Sequence, residues 1–283
     1  MVVHKMKLGL NGSTTDQCNL IEDIEVASQS GFDLLELRTY KIKNYLNDGG
    51  TLENLRDKFI KEEVQPFAIN ALEFFTLKNT ETEVNDMLKE TEHWCKIASE
   101  INCPYLVAVP SRLIDNVNQE MIIEDAVNML LQVSNIAAKY DVKIAFEFIG
   151  FPDFSVTTLE MANEIITRAN RDNVGLVVDT YHFYLGDSTL ESVNVVEKEN
   201  VFIFHINDAE KGILKHELTE DHRVFPGIGS IPLKEIGQAF KAIGYDDMVS
   251  LELFRKDYWE LPGEELGLQA FKHVQNSSQN MFS

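Results

Sequence analysis

Lys143-Ile-Ala-Phe-Glu147 reads as a β-strand that stops on a carboxylate, and three other runs repeat the pattern: Val174-Gly-Leu-Val-Val-Asp179, Val201-Phe-Ile-Phe-His205 and Val249-Ser-Leu-Glu252. Burying a charged or imidazole tip at the end of such an apolar strand costs several kcal/mol unless the tip meets a metal, a partner or water. The four tips stand 32, 26 and 47 residues apart, a spacing suited to successive strand–helix units. Two Glu, one Asp and one His make an oxygen-rich shell with a single imidazole, which suits Mn²⁺, Co²⁺, Zn²⁺ or Mg²⁺. The expectation is one divalent-metal site, with Glu147, Asp179, His205 and Glu252 as ligands, at one end of a parallel barrel.

Outward from these runs, strand-like and helix-like segments alternate along the chain. Strands are expected at Lys7–Leu10, Leu34–Leu37, Pro66–Asn70, Tyr105–Ala108, Lys143–Glu147, Val174–Asp179, Val201–Ile206 and Met248–Leu253. Helices are expected at Leu20–Ser30, Leu52–Glu63, Thr82–Ile101, Met121–Tyr140, Leu159–Ala169, Leu190–Glu197 and Leu233–Ile243, with a last one near Gly263–Val274. Ile122, Ala126, Met129, Leu130, Val133 and Ala137 fall at helical spacing. Gly31 and Gly244 each follow a helical run and precede a new strand, as a left-handed C′ glycine does. Eight β-then-α units with no linker predict an α/β fold: a (β/α)₈ TIM barrel in a single domain, residues 1–283. An open doubly wound sheet is the weaker alternative, because Asn11-Gly12-Ser13-Thr14 is no dinucleotide-binding loop. In barrels the active site lies at the C-terminal face of the strands, where all four tips fall.

Composition narrows the function. Against 25 Lys and Arg stand 46 Asp and Glu, a formal charge of −21. Such a surface repels nucleic acid and anionic lipid, so neither is expected as a partner. The three cysteines, Cys18, Cys95 and Cys103, form no CxxC pair, which disfavours a disulfide framework or a thiolate zinc site. The N-terminal Met-Val-Val-His-Lys-Met-Lys lacks an apolar signal region, and no run approaches the roughly 18 apolar residues of a membrane span. A cytoplasmic protein is expected, and a homo-oligomer is left open.

Further strings extend the pattern: Asp179-Thr-Tyr-His182 after the sixth strand, His205-Ile-Asn-Asp208 after the seventh, Leu251-Glu252-Leu253 in the eighth and Arg223-Val-Phe-Pro226-Gly227-Ile-Gly229 before the seventh helix. Together these resemble the xylose-isomerase-like barrels, a superfamily of sugar isomerases and epimerases, hydroxypyruvate isomerase and endonuclease IV. The shorter strings Glu36-Leu-Arg38-Thr39, Asn70-Ala71-Leu72, Val107-Ala-Val-Pro110, Asn170-Arg-Asp-Asn-Val-Gly-Leu176 and Val249-Ser-Leu-Glu-Leu-Phe-Arg255 are most similar to those of inosose (2-keto-myo-inositol) isomerases of inositol catabolism. The resemblance implies an isomerase or epimerase of a keto-cyclitol or ketose, working through an enediolate on one divalent ion. It also implies that Glu147 and Glu252 both ligate the metal and exchange protons with the substrate, while Asp179 and His205 only ligate. His182 and Arg223 would contact substrate oxygens.

The chemistry agrees with that assignment. Moving a carbonyl, or inverting a carbon beside one, requires proton removal α to the carbonyl, and two carboxylates flanking a Lewis-acidic cation can supply it. Arg38 and Asn70 are expected as polar wall groups, and Phe74, Phe75, Tyr258 and Trp259 as apolar walls. Blander readings exist for several residues: Arg223 pairing with Asp221, His182 merely packing, Glu36 pairing with Arg38 or a nearby cation, and His216 and His222 solvated. Other sugar epimerases and a hydroxypyruvate-isomerase-like enzyme remain alternatives. Endonuclease-IV-like repair is disfavoured, since the third and fourth strands end in Asn70 and Val109-Pro110 without a histidine and the net charge opposes a phosphate backbone.

Overall fold

A computed structural model describes residues 6–283 of the chain; the start of the N-terminal stretch read above, residues 1–5, lies outside the described residues. Eight parallel strands close into one barrel. They are β1 (Lys7–Asn11), β2 (Leu34–Arg38), β3 (Gln65–Leu72), β4 (Tyr105–Ala108), β5 (Lys143–Glu147), β6 (Val174–Asp179), β7 (Val201–Ile206) and β8 (Met248–Leu251). Each strand pairs with its sequence neighbours, and β8 returns to β1 with Leu10 opposite Leu251. The expected fold is the observed one.

Period-two alternation along each strand divides the apolar side chains into two layers. Leu34, Ala68, Val107, Ala145, Val177, Ile203 and Met248 belong to a cluster that fills the barrel interior. Leu35, Leu37, Leu106, Ile144, Phe146, Leu176, Val178 and Phe204 point outward into a much larger layer shared with the helices. Two residues above the interior apolar positions, on the same inward face, stand Glu36, Asn70, Glu147, Asp179 and His205. The polar tips are therefore the top layer of a barrel plugged below with apolar side chains.

The helices follow the expected order with some changes at their ends. The first, α1 (Leu20–Ser30), ends on Gly31 at φ 95°, whose N–H caps the carbonyls of Ala27 and Ser28. Gly244 is also left-handed, at φ 90°. An unexpected helix, α2 (Thr39–Asn47), follows β2; only Lys41 and Ile42 of it are buried, so it presents no apolar stripe to read. Then come α3 (Leu52–Glu62), α4 (Glu81–Glu100), α5 (Gln119–Ala137) and α6 (Leu159–Ala169). A short α7 (Thr180–Leu185), capped by Asp179, carries His182 where no helix was among those expected. The helix expected over 190–197 is reduced to α8 (Leu190–Val193). The last two are α9 (Leu233–Ala242) and α10 (Gly263–Met281), the latter longer than expected. Its end is also not exposed as a terminus suggests: Met281 is buried against Gly237, and the Phe282 ring lies 5.8 Å from Phe204. No described helix is long and apolar enough to cross a membrane.

Candidate metal centre

The strand termini bring Glu147, Asp179, His205 and Glu252 to one point. Asp179 and His205 are register partners on β6 and β7, while Glu252 follows β8 directly. One ligand atom from each of the four lies within 4.8 Å of the others, and all four side chains are buried. Nδ1 of His205 sits 3.3 Å from Glu252 Oε2, 3.5 Å from Glu147 Oε1 and 3.7 Å from Asp179 Oδ2. Neither that Nδ1 nor Glu147 Oε1 has a hydrogen-bond partner among the described residues. Buried polar atoms are normally satisfied, so an orphaned nitrogen and oxygen facing two more carboxylates make a site that a divalent cation completes. An O₃N donor set is within the range of Zn²⁺, Mn²⁺ and Co²⁺.

The electrostatics point the same way. Burial pushes the Glu147 carboxyl up to about 7, helped by the neighbouring Glu252 and Asp179 and opposed by His205. Burial also works against a charged His205, yet Glu36 and Glu252 hold its imidazole well above the usual histidine range. For Glu252, burial is outweighed by His205, Arg223 and Arg38, which hold its carboxyl well below the usual range. A pocket that draws protons onto His205 and Glu147 has more buried anion than its own cations balance.

Arg223 is the largest cationic presence. It is almost fully buried, donates from Nη1 to Asp179 Oδ2 at 2.7 Å and to Glu252 Oε2 at 3.3 Å, and also pairs with Glu220. The alternative pairing with Asp221 is replaced by this set. Its guanidinium lies over Tyr181 and Phe254, 4.9 and 5.2 Å from the ring centroids. Nη2 stands 3.0 Å from His182 Nε2, and His182 Nδ1 is buried without a partner. Burial, with Arg223 adjacent, lowers the His182 pKa, which favours a neutral ring: Nε2 accepts from Arg223, so Nδ1 carries the hydrogen and can donate to an oxygen. Both expected substrate residues thus border the quartet.

Several neighbours carry more than the sequence suggested. Glu36 faces His205 Nε2 from 3.0 and 3.1 Å. Asn11 donates Nδ2 to Glu252 Oε1 at 3.1 Å while its own Oδ1 accepts from Ser13 N–H. Asn207 donates to Asp179 Oδ2 at 2.8 Å. The inward alternation that places Glu147 two residues beyond Ala145 also places Asn11 two beyond Gly9 and Glu36 two beyond Leu34, a signal present in the sequence. Arg38 donates to Asn70 Oδ1 at 3.1 Å and lies 3.7 Å from Glu252, so both form part of the polar wall.

One of the four expected aromatic walls falls away. Phe75 packs edge-on against Phe146, outside the barrel, and is no part of the site. Phe74 stacks on Phe154, Tyr258 stacks on Phe225, and Trp259 donates to Ser13 carbonyl oxygen. The ring beside His182 is instead Phe151, with centroids 5.8 Å apart. Phe151 also lines a groove of about 870 Å³ with Phe154, Leu113 and His216. His222 is not merely solvated, since its Nδ1 accepts from Thr219 N–H at 3.0 Å.

Comparison with known proteins places these features in company. The family described as Xylose isomerase-like TIM barrel matches residues 24–276. The inosose isomerase of Bacillus subtilis is 39% identical over 262 residues, covering 92% of this chain and 93% of the relative. That of Halalkalibacterium halodurans is 37% identical over 262 residues, 92% of each. Among solved structures, the IolI protein with a binding zinc atom superposes with a TM-score of 0.94 at 38% identity, covering 98% of this chain and all of that one. D-psicose 3-epimerase from Clostridium cellulolyticum shares the fold at a TM-score of 0.78, 16% identity, 98% of this chain and 99% of that one.

Proposed function

The chain belongs to the xylose isomerase-like TIM-barrel family, and on that footing we propose that it is a divalent-metal-dependent inosose isomerase. The observation that carries the reading is the buried quartet Glu147, Asp179, His205 and Glu252 with its orphaned Nδ1 and Oε1, in a chain 37–39% identical to inosose isomerases. These four residues would hold the ion. When bound, the ion supplies Lewis-acid stabilisation of negative charge developing on adjacent substrate oxygens.

The remaining chemistry belongs to the side chains. Glu147 and Glu252 stand at the ends of strands on different sides of the mouth, placed to take the proton α to a carbonyl and to return one at the neighbouring carbon. Asp179 cannot share that work: Oδ1 accepts from the N–H groups of Tyr181 and His182, and Oδ2 from Asn207 and Arg223. It is a fixed ligand. His182 Nδ1 and Arg223 Nη2 are positioned to bind hydroxyl and carbonyl oxygens of a small polyol. The burial of the cluster excludes bulk water, which strengthens each of these charges.

The test is proton NMR of the metal-loaded protein with 2-keto-myo-inositol in deuterated water. Deuterium beside the carbonyl together with a second keto-inositol is the expected result. Exchange without a new product would instead favour an epimerase of a related substrate, and no exchange with any keto-inositol or ketose would remove the isomerase reading. Glu147→Gln and Glu252→Gln should each slow exchange by about 10²–10⁴-fold; the unfolding temperature of the metal-free protein should be little changed in Glu147→Gln, whose Oε1 has no partner among the described residues, and lowered in Glu252→Gln, which loses its charge beside Arg223 and Arg38.

A further inference from the structure

The expected ligands come from the ends of β5 to β8, yet the far side of His205 is held by β2. Glu36 is completely buried, and its two carboxylate oxygens lie 3.0 and 3.1 Å from His205 Nε2. It is itself held: Asn70 Nδ2 donates to Glu36 Oε2 at 3.4 Å, and Asn70 Oδ1 accepts from Arg38 Nη1 at 3.1 Å. We propose that Glu36 is a positioning residue that fixes the His205 ring and its tautomer, so that Nδ1 is the nitrogen turned to the metal.

The argument is one of donors and acceptors. A carboxylate only accepts, so the ring nitrogen facing Glu36 carries the proton; in neutral imidazole the other nitrogen then holds the free lone pair. That other nitrogen is Nδ1, which has three carboxylate oxygens between 3.3 and 3.7 Å and no hydrogen-bond partner. Turning the ring over would put Cε1 in place of Nε2 and Cδ2 in place of Nδ1, so that Glu36 would lose its N–H donor and the carboxylate cluster its lone pair. Asn70 and Arg38 make the arrangement one-way, because Asn70 must point its amide N–H at Glu36 while its oxygen takes the Arg38 proton. A carboxylate that orients a metal-binding histidine typically contributes about 10–100-fold in metal affinity.

This inference rests on the reading of the quartet as a metal site, and the experiment separates the two. The Zn²⁺ affinity of wild type, Glu36→Gln and Glu36→Leu would be measured by competition with a chromophoric chelator. Nitrogen-15 NMR of histidine-labelled, Zn²⁺-loaded protein would report which His205 nitrogen carries hydrogen. Glu36→Leu should bind Zn²⁺ about 10–100-fold more weakly and lose the slowly exchanging Nε2–H signal, while Glu36→Gln, which keeps an acceptor oxygen, should stay within about threefold of wild type. Unchanged affinity and an unchanged Nε2–H signal in Glu36→Leu would overturn the role of Glu36 and leave the quartet standing. Wild type that binds no Zn²⁺ would overturn both. The wild-type spectrum decides even if Glu36→Leu does not fold, since a Zn²⁺ complex with hydrogen on Nδ1 contradicts the proposal outright.

Discussion

Glu147 and Glu252 share one buried cluster, yet their surroundings push them in opposite directions. Burial drives the Glu147 carboxyl up to about 7, whereas His205, Arg223 and Arg38 overcome the same burial at Glu252 and hold it low. A ligating carboxylate must give up its proton before it can bind metal. Glu147 is mostly protonated below about 7 in the metal-free site, and His205 keeps its proton well above the usual histidine range, so apparent metal affinity should climb as pH rises toward 7 and go on climbing above it. Binding near pH 6 should then release protons. Calorimetry in two buffers of different ionisation enthalpy reads this directly, and identical heats in both would rule out the linkage. Arg223 adds a second lesson at this scale. Its two contacts to ligand oxygens mean that a bound ion and this guanidinium share the same carboxylates, so the Arg is fixed as well as attracted.

Among the elements, the loop between β7 and α9 depends on a single side chain. Asp208 accepts from the N–H groups of Gly227, Gly229 and Ile231 at 3.1, 2.9 and 2.8 Å. No Cβ fits at Gly229, where it would meet Ala209 carbonyl oxygen and Asp208 Oδ1 at 2.3 Å. Asp208→Ala should cost about 2 kcal/mol, the scale of losing charge-assisted bonds to backbone donors, as read by urea unfolding; a loss near zero would show that water replaces the carboxylate. Beyond the neighbouring strand β8, Lys41 of α2 is buried against Asp23 of α1, donating to both of its oxygens at 2.8 and 2.9 Å and to the carbonyls of Gly12 and Thr15 at 2.9 Å. This pair clamps the β1–α1 loop, next to Asn11, which holds Glu252. Breaking a buried pair by removing one partner costs about 3–5 kcal/mol, and Lys41→Met should show a loss in that range by denaturant titration. A value under about 1 kcal/mol would mean that the loop is anchored by its other bonds, those of Thr14 to Leu251 and Leu253 and of Trp259 to Ser13 among them.

For the whole molecule, the quartet concentrates anionic charge in a chain already at −21, and a cation there stabilises the folded state by mass action. At a free metal concentration of about 100 times the dissociation constant the gain is about 2.7 kcal/mol, which corresponds to an unfolding temperature higher by about 5 °C or more. Thermal scans with a chelator, then with Zn²⁺, Mn²⁺ or Co²⁺ restored, should show that fall and recovery. Scans that coincide with and without metal would argue against a site in the folded protein.

The barrel and the quartet were legible because both are written in short-range order. Period-two alternation is a property of five or six consecutive residues, so Ala145 and Glu147, Val177 and Asp179, or Ile203 and His205 declare an apolar plug below and a polar tip above without knowledge of the rest. The C′ glycines at 31 and 244 mark helix ends for the same local reason. What escaped was the part with no local signature. Helix α2 has too few buried residues to show a stripe, and Phe75 faces the helix layer because of how β3 leads into its loop. Glu36 meets His205 across 169 residues, and Arg223 meets Asp179 across 44. Those contacts exist only once β8 closes onto β1 and the register between strands is set. The residues that line the inner face are a matter of sequence; which of them touch is decided by closure, since tips on strands that are not neighbours meet across the mouth only once the sheet has curled round and the last strand pairs with the first.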